Sequence, residues 1–209
     1  GDAVRDARQS AYPLSMIGRV HRLRDELELA AKALDASISL SRTGWTAFLP
    51  WPQSLRAEVD LHRGATALAA DAFDAAFTLG CQFGDPCWEA LAGRGRARVA
   101  ECRGQIESAA GLLQDALIRS AREPDAYTWA RAYVLDALCH LCARHRLAQG
   151  PDAVRELQSL ASRCGMREMI VRAKVEPKVR RKTKVSRAAK AKRGDQKKRR
   201  GGNKSPPRS

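Results

Sequence analysis

Residues 14–37 read LSMIGRVHRLRDELELAAKALDAS, and features of this stretch return along the chain at a regular distance. A small residue marks each return, in steps of 39, 40 and 40 residues. The four positions are Gly18, Ala57, Ala97 and Ala137. A period of this length is typical of stacked supersecondary units rather than of one closed core. The sequence therefore predicts a stack of helical hairpins.

The second half of each of the first three hairpins repeats a turn residue, an alanine, a large apolar residue and a small residue. The sets are Asp25, Ala30, Leu34 and Ser37, then Gly64, Ala69, Phe73 and Ala76, then Gly104, Ala109, Leu113 and Ala116. The last three positions of each set are spaced i, i+4 and i+7, so they share one face of a helix. One hairpin cannot bury such a face alone, and about three units are therefore needed for a stable stack.

Proline and glycine residues set the predicted boundaries of the units. Pro50 and Pro52 end an aromatic connector at 44–52, and Pro86 follows Asp85 as the first residue of a new helix. Another break falls at 123–125, where the chain reads Glu-Pro-Asp. We therefore expect a first unit with helices at 12–23 and 26–42, and further units at 52–83, 86–122 and 125–164. Gly150-Pro151 is expected between the two helices of the fourth unit, and a short helix is expected at 166–173.

Charge divides the chain into a nearly neutral body and a basic tail. The net charge is +15, and residues 174–209 hold 16 Lys or Arg against two acidic residues, a net of +14. Three valines are the only large apolar residues of this tail, so it cannot offset the entropy of ordering and is predicted to be disordered when free. The sequence thus predicts a helical repeat domain at 1–173 and a Lys/Arg-rich tail at 174–209.

The basic clusters of the tail favour contact with nucleic acid or another polyanion, because Lys and Arg neutralise phosphates and release counterions. Such binding depends on salt and is nearly blind to base sequence, since no rigid element places the side chains in a groove. The alternative is a solvated extension without function, such as one produced by a changed reading frame after Ala173. The candidate contacts are Arg180, Arg181, Lys182, Lys190, Lys192, Arg193, Lys197, Lys198, Arg199 and Arg200.

The body contains no combination of residues that indicates catalysis. No Ser/His/Asp triad, paired carboxylate site or nucleotide motif stands at a telling spacing, so we expect neither enzymatic activity nor a cofactor. No apolar run reaches the roughly 18 residues of a membrane span. The six cysteines occur without a secretory signal, which is typical of reduced thiols in a cytoplasmic protein.

Two short motifs have both a chemical and a packing interpretation. Cys139 and Cys142, followed by His145, have the C-x₂-C spacing of zinc sites, but they fall inside a predicted helix and lack a second ligand pair. We expect these thiols to pack as small apolar groups, with no metal bound. The segment at 93–96, Gly-Arg-Gly-Arg, has the composition of a phosphate loop, but it follows no strand, so close helix packing is expected instead.

Two groups of side chains are candidates for contact with a partner. Arg94 and Arg98 are i, i+4 neighbours and Arg103 lies near the end of the same helix, so the three are predicted to form a basic patch for an acidic peptide. The alternative is a solvated helix face. The aromatic connector is expected to pack between units rather than to form a ligand cage. Its aromatic residues are Trp45, Phe48 and Trp51.

The first unit resembles a tetratricopeptide repeat in its residue spacing, at Leu14, Ile17, Gly18, His21, Asp25, Ala30, Leu34 and Ser37. Later units depart from the pattern at the large positions of the first helix, and the repeat is longer than the usual length of about 34 residues. The amino-acid sequence at 45–52, 57–61, 84–89 and 165–168 further resembles the helical repeat region of large bacterial LuxR-type transcriptional regulators and related signal-transduction ATPases.

The resemblance implies a right-handed, tetratricopeptide-like α-solenoid of about four helix pairs in an all-α domain. It also implies a scaffold for protein–protein interaction or effector sensing in bacterial transcriptional control, with a partner segment on the concave helices. In that family the repeats lie between a nucleotide-binding module and a helix-turn-helix, and this sequence carries the motif of neither, so we expect a piece of such a regulator or a stand-alone relative. The alternative function is non-specific binding of DNA or RNA through the basic tail.

Overall fold

The computed structural model describes residues 2–122 and 127–174, all of which belong to Gly1–Pro177, the first of two units into which the chain divides. Helices account for nearly all of these two ranges, and no strand occurs within them. The prediction of an all-α body is therefore confirmed. The predicted tail lies outside the described residues apart from Lys174, which ends the last helix. The predicted break at 123–125 also lies outside them.

Nine α-helices occupy the described ranges, and a single 3-10 turn at Thr46–Phe48 lies within the aromatic connector. The helices are α1 Asp2–Leu23, α2 Leu27–Gly44, α3 Pro50–His62, α4 Thr66–Phe83, α5 Pro86–Cys102, α6 Ile106–Ser120, α7 Thr128–His145, α8 Gly150–Arg163 and α9 Arg167–Lys174. They match the predicted elements closely, with two differences that have physical causes.

The first difference is that α1 begins ten residues before its predicted start and passes through Pro13. The added turns are tied to the neighbouring helix, because the Ser37 hydroxyl donates a 2.7 Å hydrogen bond to the Ala11 carbonyl. The second difference is that Gly150 and Pro151 open α8 instead of lying between helices. Proline is tolerated in a first helical turn because its missing N–H has no partner there in any case.

Each helix packs against the next one in sequence, from α1 with α2 to α8 with α9. The odd-numbered helices also contact one another in order, α1 with α3, α3 with α5, α5 with α7 and α7 with α9. We call this set of five helices the first-helix row. It brings together, along one surface, residues that lie more than 100 positions apart in the chain.

The turns inside the hairpins share one geometry. Asp25, Gly64 and Gly104 have positive φ angles of 64°, 82° and 76°. In each turn the next amide N–H donates to the carbonyl five residues earlier, at 2.9 Å, as in a Schellman motif. Asp25 fits because Asp tolerates the left-handed region better than most residues do. The predicted turn residues are therefore confirmed in all three units.

The predicted core face of the second helices is also confirmed. Leu34 and Phe73 have no exposed surface, and Leu113 is 2% exposed. The alanines and small residues that share the face with them, Ala30, Ser37, Ala69, Ala76, Ala109 and Ala116, are fully buried. The first helices approach this face closely, because a Cβ atom added at Gly18 would lie 2.5 Å from Cγ of Leu34. The recurring small residue at Gly18 is therefore required by packing.

Replacing Asp85 with Ala is expected to lower the free energy of unfolding by about 1 kcal/mol. Oδ1 of Asp85 accepts hydrogen bonds from the backbone N–H groups of Cys87 at 2.9 Å and Trp88 at 3.2 Å, at the start of α5. Urea unfolding followed by circular dichroism measures the loss. The exposed Asp71, inside α4, provides a control, since Asp71→Ala is expected to change stability by less than about 0.5 kcal/mol. Equal effects of the two substitutions would contradict the capping role.

Candidate functional site

Aromatic side chains link three hairpins near the N-terminal ends of α3, α5 and α7. Trp45 stacks on Phe48 with ring centroids 4.2 Å apart, and Phe48 meets the edge of Trp88 at 6.1 Å. Trp51 lies 5.8 Å from both Trp88 and Trp129. Phe48 and Trp51 are buried. The connector thus packs between units, as the sequence predicts, and it fixes how α3, α5 and α7 are placed.

A buried carboxylate on α3 organises the centre of the row. Glu58 is 6% exposed and pairs with Arg94 at 2.6 Å, with Arg22 at 3.1 Å and with Arg98 at 3.5 Å. Burial alone would raise the pKa of Glu58, but the positive charges of Arg94, Arg98 and Arg22 lower it to about 2. One negative charge therefore holds together three positive charges supplied by α1 and α5.

A cavity of about 250 Å³ lies beside this cluster. Its walls come from α1, α5, α6, α7 and α9, so most of it belongs to the first-helix row. Five arginines dominate the lining, together with two carboxylates and one histidine. These residues are Arg22, Arg94, Arg98, Arg144, Arg172, Glu101, Asp136 and His140.

The two carboxylates of the cavity wall are already engaged by neighbouring cations. Both oxygens of Glu101 accept 2.7 Å hydrogen bonds from Arg144, and His145 lies 2.9 Å away. Burial would raise the pKa of Glu101, but these hydrogen bonds lower it below its ordinary value. Asp136 accepts a 3.0 Å hydrogen bond from Arg172. The wall is therefore a set of ion pairs with arginine in excess.

A smaller crevice of about 30 Å³ adjoins the cavity and shares Arg22 and Arg94 with it. Its other charged or aromatic lining residues are Arg19, Trp51, Glu58, Trp129 and Tyr133. Arg19 donates a hydrogen bond to the Tyr133 hydroxyl and lies over the Tyr133 ring, 5.1 Å from its centroid. We call the crevice and the cavity together the arginine groove.

The structure brings two of the three predicted partner-binding arginines into this groove. Arg94 and Arg98 line it, whereas Arg103 caps the far end of α5 and lines a different depression with Arg96 and Ser108. The predicted tail contacts, from Arg180 to Arg200, lie outside the described residues.

Sequence reasoning missed the groove residues contributed by other helices. The most important of these are Glu58, Arg22, Arg144, Arg172, Trp129 and Tyr133. One signal was present, because the residue directly after each of the first three recurring small residues is charged. These residues are Arg19, Glu58 and Arg98, with alternating sign on adjacent helices of the row.

The two ambiguous motifs have packing roles in the structure. Cys142 is 2% exposed, Cys139 packs against the same core cluster, and all six cysteines are unpaired. Burial raises the pKa of the Cys139 thiol to about 12, which disfavours the thiolate. In the segment at 93–96, a Cβ atom added at Gly95 would overlap the ring of Phe73. Close helix packing is therefore confirmed for that segment.

Among the residues that the structure describes, no helix is both long enough and apolar enough to span a bilayer. The sequence matches no protein-family model, and no curated protein matches it significantly.

Proposed function

We propose that this protein is a non-enzymatic helical-repeat scaffold that binds an acidic segment of a partner protein in the arginine groove. The setting we propose is bacterial transcriptional control or signalling in the cytoplasm. The sequence resemblance to the repeat region of LuxR-type regulators supports this setting, and the unpaired cysteines fit a reducing compartment. In this proposal the hairpins form a right-handed, tetratricopeptide-like solenoid of four pairs, with the first-helix row on its concave side and α9 as the end cap.

The observation that carries the proposal is the side-chain composition of the groove. Trp, Tyr and Arg are the residue types most enriched at the hot spots of protein–protein interfaces. Here Trp51, Trp129 and Tyr133 line the crevice, and the arginines continue along the adjoining cavity. Five helices position these side chains, and a rigid scaffold of that kind reduces the ordering cost of binding. The excess of arginine favours a partner with Asp and Glu residues.

The competing function is non-specific binding of DNA or RNA through the tail, favoured by the net charge of +14 in residues 174–209. It has a distinct signature, because affinity falls steeply with salt when many phosphates are neutralised. A variant of the 209-residue chain in which the ten candidate tail residues are changed to Gln separates the two functions. If this variant no longer binds double-stranded DNA but still binds acidic peptides, the nucleic-acid contacts belong to the tail alone.

Replacing Tyr133 with Ala is expected to weaken binding of acidic peptides by about tenfold or more, the usual effect of truncating an interface hot spot. The probe is a labelled peptide pool rich in Glu, Asp and Leu, and fluorescence anisotropy at near-physiological salt measures the affinity. Tyr12, which is 50% exposed on α1 and lines neither the crevice nor the cavity, provides a matched control in Tyr12→Ala. If Tyr133→Ala and Tyr12→Ala both bind the peptide pool as tightly as the unmodified protein does, the groove is not the docking surface.

A further inference from the structure

Arg98 differs from the other arginines of the cavity because its positive charge has only one distant carboxylate partner within the described residues. Its only ion pair within the described residues is the 3.5 Å contact with Glu58, and it makes no hydrogen bond there. Burial lowers the pKa of Arg98 more than the nearby Glu58 carboxylate raises it. A guanidinium has five N–H donors, so Arg98 can donate hydrogen bonds to a ligand at the cavity wall.

Two neighbouring donors are also left without hydrogen bonds. Nε of Arg22 and Nε of Arg94 are buried and unbonded, although the Arg22 nitrogen lies only 3.1 Å from Oε2 of Glu58. Oε2 itself is buried without a hydrogen bond. Unsatisfied buried polar groups are costly, and in native structures they commonly mark strain or a functional site.

A second buried carboxylate in the same fold provides a contrast. Glu89 is 2% exposed and accepts hydrogen bonds of 2.6 Å from Arg119 and 2.7 Å from Arg122. Arg119 also pairs with Asp115 at 2.6 Å. Two arginines thus meet two carboxylates, and the charges of that cluster balance. The Glu89 cluster therefore does not share the excess of arginine found around Glu58.

The charges that surround the cavity define the class of ligand. Arg144 pairs with Glu101, and Arg172 pairs with Asp136 and Glu168. Arg22, Arg94 and Arg98 share Glu58 as their one carboxylate within the described residues, which leaves an excess of two positive charges in that group. We propose that the cavity binds the phosphate group of a small molecule, a phosphate monoester dianion, between Arg98, Arg22 and Arg94. The dianion neutralises the excess positive charge and accepts hydrogen bonds from the N–H groups of Arg98, whose side chain is 33% exposed at the cavity.

The shape of the site favours phosphate over a dicarboxylate. Arginines from α1 and α5 approach one small region, where a tetrahedral group with three terminal oxygens accepts from several planar guanidinium forks at once. A dicarboxylate divides its charge between two separated groups and meets this arrangement less well. The volume of about 250 Å³ lies just below the range of about 300–1,000 Å³ that holds drug-sized ligands, so the molecule is a small one.

Calorimetric titration of the 209-residue chain tests the proposal, with methyl phosphate, inorganic phosphate and succinate as probes at constant ionic strength. We expect saturable binding of both phosphate probes and weaker binding of succinate. Arg98→Met is expected to weaken phosphate binding by about tenfold or more, because it removes charged hydrogen bonds. Arg103→Met is the matched control, because Arg103 caps the C-terminal end of the same helix and lies outside the cavity. This variant is expected to bind phosphate as tightly as the unmodified protein does.

Three outcomes would overturn the proposal: no phosphate binding, equal binding of succinate, or equal binding by Arg98→Met and the unmodified protein. The last outcome would show that Arg98 does not hold the anion. If Arg98→Met fails to fold, as judged by circular dichroism, Arg98→Gln, which keeps a polar side chain there but removes the charge, replaces it with the same expected loss. Tyr133 lines the crevice and not the cavity, so peptide binding measured with Tyr133→Ala distinguishes a failure of the scaffold function from a failure of this inference. A peptide that reaches Arg22 and Arg94 is expected to compete with phosphate.

Discussion

Replacing Glu58 with Gln is expected to lower the free energy of unfolding by about 3 kcal/mol at pH 7. Glu58 is 6% exposed and is the shared counter-charge of Arg22 from α1 and Arg94 from α5. Glutamine keeps the size of the side chain but removes its charge, so partly buried guanidinium groups are left facing one another. Removing one partner of a buried ion pair costs more than the pair contributes, because the remaining charge stays buried and unpaired.

The expected loss depends on pH, and its direction follows from the pKa of Glu58. That pKa is about 2 in the folded protein, against about 4.3 for an unfolded glutamate. A lowered folded-state pKa contributes stability that is fully present above the unfolded value and is lost as the pH falls through the folded value. The shift corresponds to about 3 kcal/mol. The difference between the two proteins is therefore expected to shrink steadily from about pH 5 to pH 2.

Urea unfolding at several pH values measures this effect. Glu28→Gln is the control, since Glu28 also pairs with an arginine, Arg63, at 2.7 Å but is 90% exposed. Exposed ion pairs contribute only about 0–1 kcal/mol, so this control is expected to change little at any pH. A loss in Glu58→Gln that is equal at pH 7 and pH 3 would show that its cause is packing and not charge.

The hairpin order was predictable from sequence because its determinants are local. Gly64 and Gly104 signal a turn through their own backbone freedom, and Ala69, Phe73 and Ala76 form a helix face by spacing alone. Neither signal needs knowledge of distant residues. The start of α1 was harder to predict, because its added turns depend on a contact between Ala11 and Ser37, on a different helix.

The arginine groove was only partly predictable, because it depends on how far each hairpin is rotated against the next. Arg94 and Arg98 were recognised from spacing within one helix, which fixes their shared face. Their partner Glu58 lies 36 residues before Arg94, and Arg172 reaches the same cavity from the last helix. Spacing within a helix carries no information about such contacts. The alternating charges at Arg19, Glu58 and Arg98 indicate them only once the packing of neighbouring first helices is known.

The pair formed by Gly95 and Phe73 shows how the repeat adjusts its packing. The position of Gly95, two residues before the recurring small residue, holds Met16, Leu55 and Leu135 in the other units. Phe73 occupies a place that leucine fills in the first and third units, at Leu34 and Leu113. A larger ring on α4 is therefore matched by the absence of a side chain on α5.

Replacing Gly95 with Ala is expected to lower the free energy of unfolding by about 3 kcal/mol, because the new methyl group would overlap the ring of Phe73. Phe73 has no exposed surface, so its ring has little room to move away. Gly111→Ala is the matched control. Gly111 is an exposed helical position with nothing within 4 Å of an added Cβ atom, and there the same change is expected to raise stability by about 0.7 kcal/mol.

A double-mutant cycle distinguishes this overlap from a backbone effect at Gly95. Phe73→Leu restores the residue of the other units and opens space beside α5, so Gly95→Ala is expected to cost less in that background, by about 1–2 kcal/mol. Thermal and urea unfolding of the four proteins give the coupling energy. If Gly95→Ala costs the same with Phe73 and with Leu at that position, the ring is not what requires glycine. The matching of α4 to α5 would then need another explanation.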